Sequence, residues 1–194
     1  NMVITPAFWS KKKVLITGGS GFLGRKLAER LHNNYDVWLG ARNNKNLVDA
    51  SFGLNVECLP LDCSSENSVE DCLSYVQPDT VIHAGATKYV DWSEKYVNEC
   101  VDINVRGSQN ILRSCVKNGV ENLIGISTDK ACPPVANTYG MSKAIMERIF
   151  CLSSSNVSPE FSKSSKLKVC CVRYGNVLFS TGSFLPVWKR MVEN

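Results

Sequence analysis

The sequence lacks several features that would place it in a specialised class of protein. Its nine cysteines contain no Cys-x-x-Cys pair, so no metal centre is expected. No apolar run approaches the roughly 18 residues of a membrane-spanning helix. The net charge of +4 comes without a long basic block, which argues against nucleic acid as a partner. These absences predict an ordinary globular protein without a membrane segment, and we expect it to be cytoplasmic.

Two further compositional features fit that expectation. Residues 1–10 lack the basic, apolar and small-residue order of a signal peptide and are interpreted as an N-terminal tail. Most of the cysteines replace alanine or valine inside strand or helix patterns. We therefore expect them to be reduced core residues, since free cysteine behaves as a small hydrophobe.

Six apolar stretches alternate with helical patterns along the chain. The predicted strands are residues 12–17, 35–41, 55–62, 80–86, 122–127 and 167–173. The helical patterns are an apolar stripe from Phe22 to Leu31, then residues 66–76, about 95–118 and about 137–152, with a serine-rich loop at 153–166. This alternation predicts an α/β protein, a Rossmann-like doubly wound parallel sheet with strand order 3-2-1-4-5-6.

A glycine loop follows the first strand immediately and opens the first helix. Glycines in a G-x-G-x-x-G pattern permit a tight turn, close approach of a pyrophosphate and close helix packing, while the helix N-terminus offers N–H groups to phosphate. The loop therefore predicts dinucleotide binding through Gly18, Ser20, Gly21, Phe22, Leu23 and Gly24.

The second strand ends without the acidic residue that would accept hydrogen bonds from the adenine ribose of NAD. Arg42 and Asn43 stand there instead, with Lys45 just beyond. A guanidinium suits a 2′-phosphate, so NADP is favoured over NAD; a solvent-facing arginine is the alternative.

Further cofactor contacts are expected at the ends of the next two strands. Asp62 could bind adenine or cap the following helix, and the small residues at the end of the fourth strand would let a cofactor lie against the backbone. The expected contacts are Asp62, Cys63, Ala84, Gly85 and Ala86.

The stretch from Ser127 to Lys143 concentrates acid–base side chains. Asp129 and Lys130 follow a buried strand, and Tyr139 and Lys143 lie four residues apart, on one helix face. Together these residues suggest acid–base chemistry. The alternatives are that Asp129 and Lys130 form a surface ion pair and that Tyr139 only packs against its neighbours.

Two buried polar residues elsewhere are given structural roles. His83 stands inside an apolar run and is interpreted as a core histidine whose hydrogen bonds are satisfied. Asn104 interrupts the apolar side of its helix, so we expect it to form structural hydrogen bonds near the catalytic helix.

The glycine loop together with Tyr139-x-x-x-Lys143 resembles the extended short-chain dehydrogenase/reductase family. Three segments resemble, more narrowly, its inverting UDP-N-acetylglucosamine 4,6-dehydratases: Ser127–Lys130, His83–Val90, and Arg173–Val177 with Gly182-Ser183. The resemblance covers about residues 11–191 and implies one NADP-binding domain at 11–194 that carries the catalytic residues. Gly85 replaces the usual alanine, and the family's C-terminal substrate lobe is expected to be largely absent.

The resemblance also implies roles for individual residues. Tyr139 would take the C4 hydroxyl proton, Lys143 would favour its phenolate and hold the nicotinamide ribose, and Thr128 would bind the C4 oxygen. Lys130 would remove the C5 proton and Asp129 would protonate the departing C6 hydroxyl. Substrate contacts are implied at Lys88 and Asn176. A homo-oligomer through helices 95–118 and 137–152 is a family-level expectation.

Two other functions stay open at this point. A net oxidoreductase or a 4-epimerase on a nucleotide sugar would need Tyr139 and Lys143 but neither Asp129 nor Lys130. A truncated, catalytically weak nucleotide-binding module would bind the cofactor alone.

Overall fold

The computed structural model describes residues 11–87, 89–133, 135–153 and 166–175, which contain a six-stranded sheet. Every neighbouring pair is parallel, and the strand order is β3-β2-β1-β4-β5-β6. The strands are β1 Lys13–Thr17, β2 Asp36–Ala41, β3 Val56–Pro60, β4 Thr80–His83, β5 Asn122–Thr128 and β6 Lys168–Tyr174. The predicted doubly wound sheet and its order are confirmed. Strands β3 and β4 end earlier than predicted, so Asp62 and Ala84–Ala86 lie in the following loops.

Seven α-helices and two tighter or wider turns accompany the strands in the described residues. They are α1 Phe22–Leu31, α2 Asn44–Ser51, α3 Glu66–Val76, α4 Val90–Lys95, α5 Val97–Val101, a π-helical turn Asp102–Arg106, α6 Gly107–Lys117, a 3₁₀ turn Asp129–Ala131, and α7 Thr138–Ser153. None of these helices is long and apolar enough to cross a bilayer.

The predicted single helix from residue 95 to 118 is wrong in detail. Helical structure begins earlier, at Val90, and breaks at Tyr96, whose φ of −122° and ψ of 64° are not helical. The chain then passes through the π-helical turn before α6 begins. A π turn accommodates one extra residue and is frequent at functional sites, and Asn104 lies inside this one.

Helix α2 was not predicted because few of its residues are apolar. Asn43 caps its N-terminus by accepting a hydrogen bond from the N–H of Asn46 at 3.0 Å. At its other end, the guanidinium of Arg25 donates to the carbonyl oxygens of Asp49 and Ala50 at 2.9 and 2.7 Å. Side chains at both ends therefore hold the helix, a signal weaker than a hydrophobic stripe.

The core lies in two layers, one on each face of the sheet. Alternate residues of β1 point to opposite faces, so Leu15 joins one cluster while Val14 and Ile16 join the other. The first cluster packs under α3, α6 and α7, and the second under α1 and α2. With both faces covered, a ligand site is expected beyond the carboxyl ends of the strands, where side chains from the loops and the nearby helix ends can meet.

The cysteine prediction is correct in part. None of the nine cysteines forms a disulfide, and Cys63, Cys72, Cys100 and Cys115 are buried. Cys58 and Cys171 are half-buried, whereas Cys132, Cys151 and Cys170 are exposed. The exposed residues lie in a loop, at the end of α7 and on β6, the outermost strand of the sheet that the described residues form.

Candidate functional site

The glycine loop forms a tight turn against the end of β4. Gly18 has a φ of +68°, and a Cβ at this position would lie 2.7 Å from the carbonyl oxygen of Ala84. Gly24 is equally constrained, since its Cβ would lie 2.7 Å from the carbonyl oxygen of Gly18. Backbone therefore packs directly on backbone here, which is the close helix packing that the glycine spacing predicted.

The N-terminus of α1 fits a phosphate group. Its N-cap residue is Gly21, which has no side chain to cap the helix, and the first turn contains no acidic residue. The first intrahelical bond runs from the N–H of Arg25 to the carbonyl of Gly21 at 3.0 Å. The N–H groups of Phe22, Leu23 and Gly24 thus have no acceptor within the helix, and the positive end of the helix dipole faces the same way.

The end of β2 places Arg42 at the surface with a predicted cofactor contact beside it. Arg42 is exposed, while Asn43 uses its side-chain oxygen to cap α2. Burial raises the pKa of the Cys63 thiol to about 12, against a smaller lowering effect of the Arg42 charge. Arg42 thus follows β2, and Cys63 follows β3, its neighbour in the sheet.

Asp62 forms a local turn and does not itself cap the following helix, as one of its two predicted roles would have required. Its Oδ1 accepts hydrogen bonds from the N–H and the hydroxyl of Ser64, at 3.0 and 2.6 Å, and Ser65 caps α3. Asn110 of α6 then donates to the carbonyl oxygen of Cys63 at 2.9 Å. The loop after β3 is thereby fixed to α6 at the expected adenine side of the site.

The Thr128–Lys130 segment turns tightly after β5. Thr128 donates to Asp129 Oδ1 at 3.1 Å and accepts from the N–H of Lys130 at 3.3 Å. Lys130 Nζ lies 3.5 Å from Asp129 Oδ1, with the two side chains 37% and 58% exposed. An ion pair this exposed contributes about 0–1 kcal/mol to stability, so folding alone does not account for the pair.

The electrostatics of Asp129 differ from what a proton donor needs. Its limited burial acts to raise the pKa, but the hydrogen bond from Thr128 and the charge of Lys130 outweigh this and lower it. Asp129 is therefore a carboxylate at neutral pH in this structure. Asp129 can act as a proton donor only if a bound substrate displaces Lys130 or shields the carboxyl group from water, which would raise its pKa.

Tyr139 and Lys143 are buried on α7, only 8% and 2% exposed. Burial raises the pKa of Tyr139 to about 12, with the Tyr174 phenol adding to the rise and a hydrogen bond with Thr128 opposing it. Burial also lowers the pKa of Lys143 to about 8, and nearby Cys171 and Glu147 oppose that shift. The structure thus brings Tyr139 to Thr128, at the centre of the predicted site.

The expected pairing of Lys143 with the Tyr139 phenol is not what the structure shows. The Lys143 ammonium instead donates to the sulfur of Met146 at 3.3 Å, and it does not figure among the groups that shift the Tyr139 pKa. Sequence spacing placed both residues on one helix face correctly. Their side chains leave that face in different directions, which spacing alone does not reveal.

A chain of hydrogen bonds connects the glycine loop to the π-helical turn, and its direction is fixed. The Thr17 hydroxyl accepts from the N–H of Gly85 at 3.1 Å, so its own proton goes to His83 Nδ1 at 2.7 Å. His83 Nε2–H then donates to Ser108 at 3.2 Å, and Ser108 donates to the Asn104 carbonyl at 2.6 Å. Complete burial lowers the pKa of His83 to about 3. His83 is a neutral, satisfied core histidine, as the sequence predicted.

Asn104 extends this series of hydrogen bonds to helix α7, which carries Tyr139 and Lys143. Its side-chain oxygen accepts from the N–H of Thr87 at 2.9 Å, and its amide donates to the Ser142 hydroxyl at 2.9 Å. Ser142 in turn donates to the carbonyl oxygen of Tyr139 at 2.7 Å. The structural hydrogen-bonding role predicted for Asn104 is confirmed, and Ser142 is a positioning residue that sequence reasoning missed.

A second group of residues that the sequence did not reveal connects strand β5 to α7 and β6. Ser127 donates to Glu147 of α7, which also forms a two-point ion pair with Arg173 of β6, at 2.7 and 2.6 Å. Arg173 also donates to the Cys132 sulfur at 2.8 Å. These residues join β5, β6, α7 and the loop after the 3₁₀ turn. In the sequence, only the positions of Ser127 and Arg173 near the ends of β5 and β6 hinted at this role.

The predicted N-terminal tail, most of the serine-rich loop, and Val177 and Gly182-Ser183 lie outside the described part of the chain, and so do two predicted site residues. These are the substrate contacts Lys88 and Asn176, each next to a described residue: Thr87, which binds Asn104, and Gly175 at the end of β6. The other predicted site residues lie at or after the carboxyl ends of β1 to β5 or, for Tyr139 and Lys143, on α7. The arrangement supplies phosphate-binding backbone groups on one side and a phenol, an amine and a carboxylate on the other.

Known proteins are similar to this chain in sequence and in fold. The family described as "polysaccharide biosynthesis protein" matches residues 14–194. The UDP-N-acetylglucosamine 4,6-dehydratase (inverting) of Campylobacter jejuni is 33% identical over 95% of this chain and 55% of its own length. The UDP-glucose 4-epimerase of Rickettsia bellii is 32% identical over 94% of this chain and 54% of its own. The solved structure of Pen from Bacillus thuringiensis superposes with a TM-score of 0.84 at 28% identity, covering 96% of this chain and 57% of that one.

The chain thus spans about half the length of the curated relatives it matches. The match to the family covers nearly all of the described sheet, from the first residues of β1 onward. It agrees with the resemblance of the glycine loop and the Tyr139–Lys143 motif to extended short-chain dehydrogenase/reductases. The chain belongs to the polysaccharide biosynthesis protein family, with nucleotide-sugar dehydratases and epimerases among its relatives.

Proposed function

We propose that this chain is the NADP-binding and catalytic part of an inverting UDP-N-acetylglucosamine 4,6-dehydratase, a lyase. The observation that carries the proposal is the turn after β5. It presents Asp129 and Lys130 beside Thr128 and the buried Tyr139, whereas an enzyme that only exchanges hydride at C4 needs neither the extra acid nor the extra amine. The similarity to the inverting dehydratase of Campylobacter jejuni supports it.

The residues of the turn supply the proton transfers of a dehydration. A bound NADP would supply the hydride acceptor for C4 and the hydride donor for C6. Tyr139 takes the proton of the C4 hydroxyl, and Thr128 donates a hydrogen bond to the C4 oxygen. When the substrate excludes water from the pair, transfer of a proton from the Lys130 ammonium to Asp129 would leave a neutral amine. That amine removes the proton at C5, which the C4 ketone acidifies. Asp129 gives a proton to the C6 hydroxyl as the C6–O bond breaks and water leaves. Return of a proton to C5 from the opposite face inverts that centre.

Tyr139 needs assistance to act as a base. A phenol with a pKa near 12 is protonated at neutral pH, so a cation must approach it when the site fills. Lys143 is the cation within reach on the same helix. Its lowered pKa, about 8, shows that its charge is poorly stabilised where it lies and would gain from a phenolate partner. We assign to Lys143 both this role and a contact with the nicotinamide ribose.

NADP is the proposed form of the cofactor because of the end of β2. Arg42 stands exposed there in place of a carboxylate, so a 2′-phosphate would find a guanidinium and a ribose hydroxyl would find no carboxylate at this position. The proposed cofactor contacts are those of the glycine loop, Arg42, Asn43, the Asp62–Cys63 turn, Ala84–Ala86, Tyr139 and Lys143. The proposed substrate contacts are Lys88 and Asn176.

A homo-oligomer is the proposed assembly because an apolar face is exposed on α5 and α7. Val97 and Val101 lie four residues apart on α5, and Met141 and Ile145 four apart on α7, each 42–52% exposed. Residues at this spacing share one side of a helix, and exposed apolar surface of this kind is typical of an interface. An Ile145→Glu variant should lower the molar mass measured by light scattering; a monomeric wild type would refute the assembly.

The dehydratase proposal is tested by the fate of C6 of the substrate. The chain is incubated with NADP and UDP-N-acetylglucosamine, and the product is examined by proton NMR. A C6 methyl signal, together with deuterium at C5 when the reaction runs in D₂O, supports dehydration. Lys130→Met should abolish the methyl signal while substrate still reduces NADP, since Tyr139 is intact.

A nucleotide-sugar 4-epimerase is the second candidate, because the epimerase of Rickettsia bellii is almost as similar to this chain. It predicts an intact C6 hydroxymethyl group, an inverted C4 centre and no effect of Lys130→Met. A chain that is stabilised thermally by NADP and not by a UDP-sugar would be a cofactor-binding module, and the dehydratase proposal would fail.

A further inference from the structure

Gly140 makes the closest contact between the catalytic helix and the catalytic turn. It follows Tyr139 in the first turn of α7 and is buried. A Cβ placed on it would overlap the carbonyl oxygen of Lys130 and lie 3.1 Å from the carbonyl carbon. Both of those atoms belong to the backbone, so no side-chain rotation could relieve the overlap.

Hydrogen bonds hold both partners of this contact in place. On the helix side, the N–H of Gly140 donates to the side chain of Asn137 at 2.7 Å, which caps α7. On the turn side, the N–H of Lys130 donates to Thr128, and the N–H of Cys132 donates to the carbonyl of Asp129 at 3.0 Å. A side chain at position 140 would therefore break one of these arrangements.

The turn is the weaker of the two partners. Helix α7 has sixteen residues and packs on β5, β6, α4 and α5. The 3₁₀ turn has only three residues, and the hydrogen bonds given above at the N–H groups of Lys130 and Cys132 help to hold it. An added methyl group would hence move Lys130 and leave Tyr139 nearly in place, since Ser142 and Asn104 also hold the Tyr139 backbone.

We infer that Gly140 is a positioning residue that sets the distance between Lys130 and Tyr139, and thereby determines whether a sugar oxidised at C4 goes on to lose water. The inference rests on the proposed function. Tyr139 serves C4 and Lys130 serves C5, which are adjacent carbons, so the two side chains must reach neighbouring atoms of one ring. Only a residue without a side chain lets the two backbones approach closely enough for that.

The test is Gly140→Ala, with Arg148→Ala as control because Arg148 is an exposed residue of the same helix. A displacement of about 1 Å in a catalytic group reduces a rate by about 100-fold. We therefore expect Gly140→Ala to slow formation of the C6 methyl group by about that factor. Reduction of NADP by the substrate should stay near the wild-type rate, and Arg148→Ala should change neither.

A second readout needs no catalysis. Amide hydrogen exchange, followed by NMR on the chain alone, should accelerate at Lys130 and Cys132 in Gly140→Ala and stay unchanged at Leu123 in the core of β5. Wild-type exchange at both amides, or unchanged methyl formation in an active enzyme, would overturn the inference. If the wild type makes no methyl group, the proposed function fails, and hydrogen exchange still decides whether Gly140 positions Lys130.

Discussion

The glycine turn after β1 and the catalytic turn after β5 lie at the same edge of the sheet but are held by different kinds of contact. At Gly18 and Gly24 the closest contacts join backbone to backbone. Tyr139 instead depends on Asn104 and Ser142, and the turn before it on its own side-chain hydrogen bonds. The glycine turn is determined by a few residues that are close in the sequence. The turn after β5 depends on hydrogen bonds between residues from distant parts of the chain.

This difference has a physical reason. A pyrophosphate is recognised by N–H groups that every residue carries, so only the backbone shape has to be encoded. Proton transfer requires particular side chains at particular distances, and each must be oriented by a further hydrogen bond. Buried ionisable groups at such a site reduce stability, and Lys143 is the clearest example here.

Lys143→Met should give the largest change, and it should stabilise the fold. Because the folded pKa is about 8 and the unfolded value 10.5, the native state binds fewer protons than the unfolded state between these values. Wild-type stability therefore rises from about pH 8 to pH 10.5 and carries a penalty of about 3 kcal/mol below that window. Methionine removes the penalty and abolishes activity.

Urea unfolding of both proteins at several pH values measures this effect. The difference in unfolding free energy should be constant below pH 8 and shrink towards pH 10.5 as the wild type catches up. A variant that is less stable than the wild type at pH 7 would mean that Lys143 has a strong partner and is not a desolvated charge.

Gly24→Ala tests the backbone-held turn and should destabilise the fold by about 2 kcal/mol, since the new methyl group meets carbonyl oxygen and Cα atoms at 2.7 Å. NADP binding should weaken with it. Gly53→Ala is the matched control: its φ is +75° and nothing lies within 4 Å of a Cβ there. Strain alone should cost about 1 kcal/mol in that variant. Unchanged NADP affinity in Gly24→Ala, measured by calorimetry, would contradict the argument.

Asn104→Ala tests the side-chain-held site and should cost about 1–2 kcal/mol, because the N–H of Thr87 and the hydroxyl of Ser142 lose a buried partner. The loss of kcat should exceed what the loss of stability explains, since the Tyr139 backbone is released. Ser142→Ala should reproduce the loss of kcat and should leave the hydrogen bond from the N–H of Thr87 to Asn104 intact. If both variants lowered only the melting temperature, the network would serve folding alone.

The sequence was sufficient for the sheet and the glycine turn because their signals are local. Apolar runs of strand length, spaced by helical patterns, predicted all six strands and their order, and the spacing of Gly19, Gly21 and Gly24 predicted the loop. Helix α2 escaped because two polar caps, and not an apolar stripe, define it. The break at Tyr96 and the π-helical turn were not predicted, because the period of the apolar residues is averaged over many residues and does not register such short interruptions.

The catalytic region was predictable in its residue types and not in its contacts. Asp129, Lys130, Tyr139 and Lys143 stand in a recognisable pattern, but the bond from Lys143 to Met146 does not follow from it. Ser142 and Glu147 were missed because their partners lie at least 20 residues away in the sequence, apart from the bond of Ser142 to Tyr139. Long-range side-chain hydrogen bonds leave no periodic trace.

The smallest expected effect concerns the choice of cofactor at the end of β2. In Arg42→Ala the dissociation constant for NADP should rise about tenfold, the loss expected for one charge-assisted hydrogen bond, whereas that for NAD should not change. Lys45→Ala should have a weaker effect of the same sign, since Lys45 lies in the exposed first turn of α2. Titration calorimetry with both cofactors separates the cases. Equal loss for NADP and NAD would show that Arg42 contacts the part common to both, and a backbone-held site would then accept either.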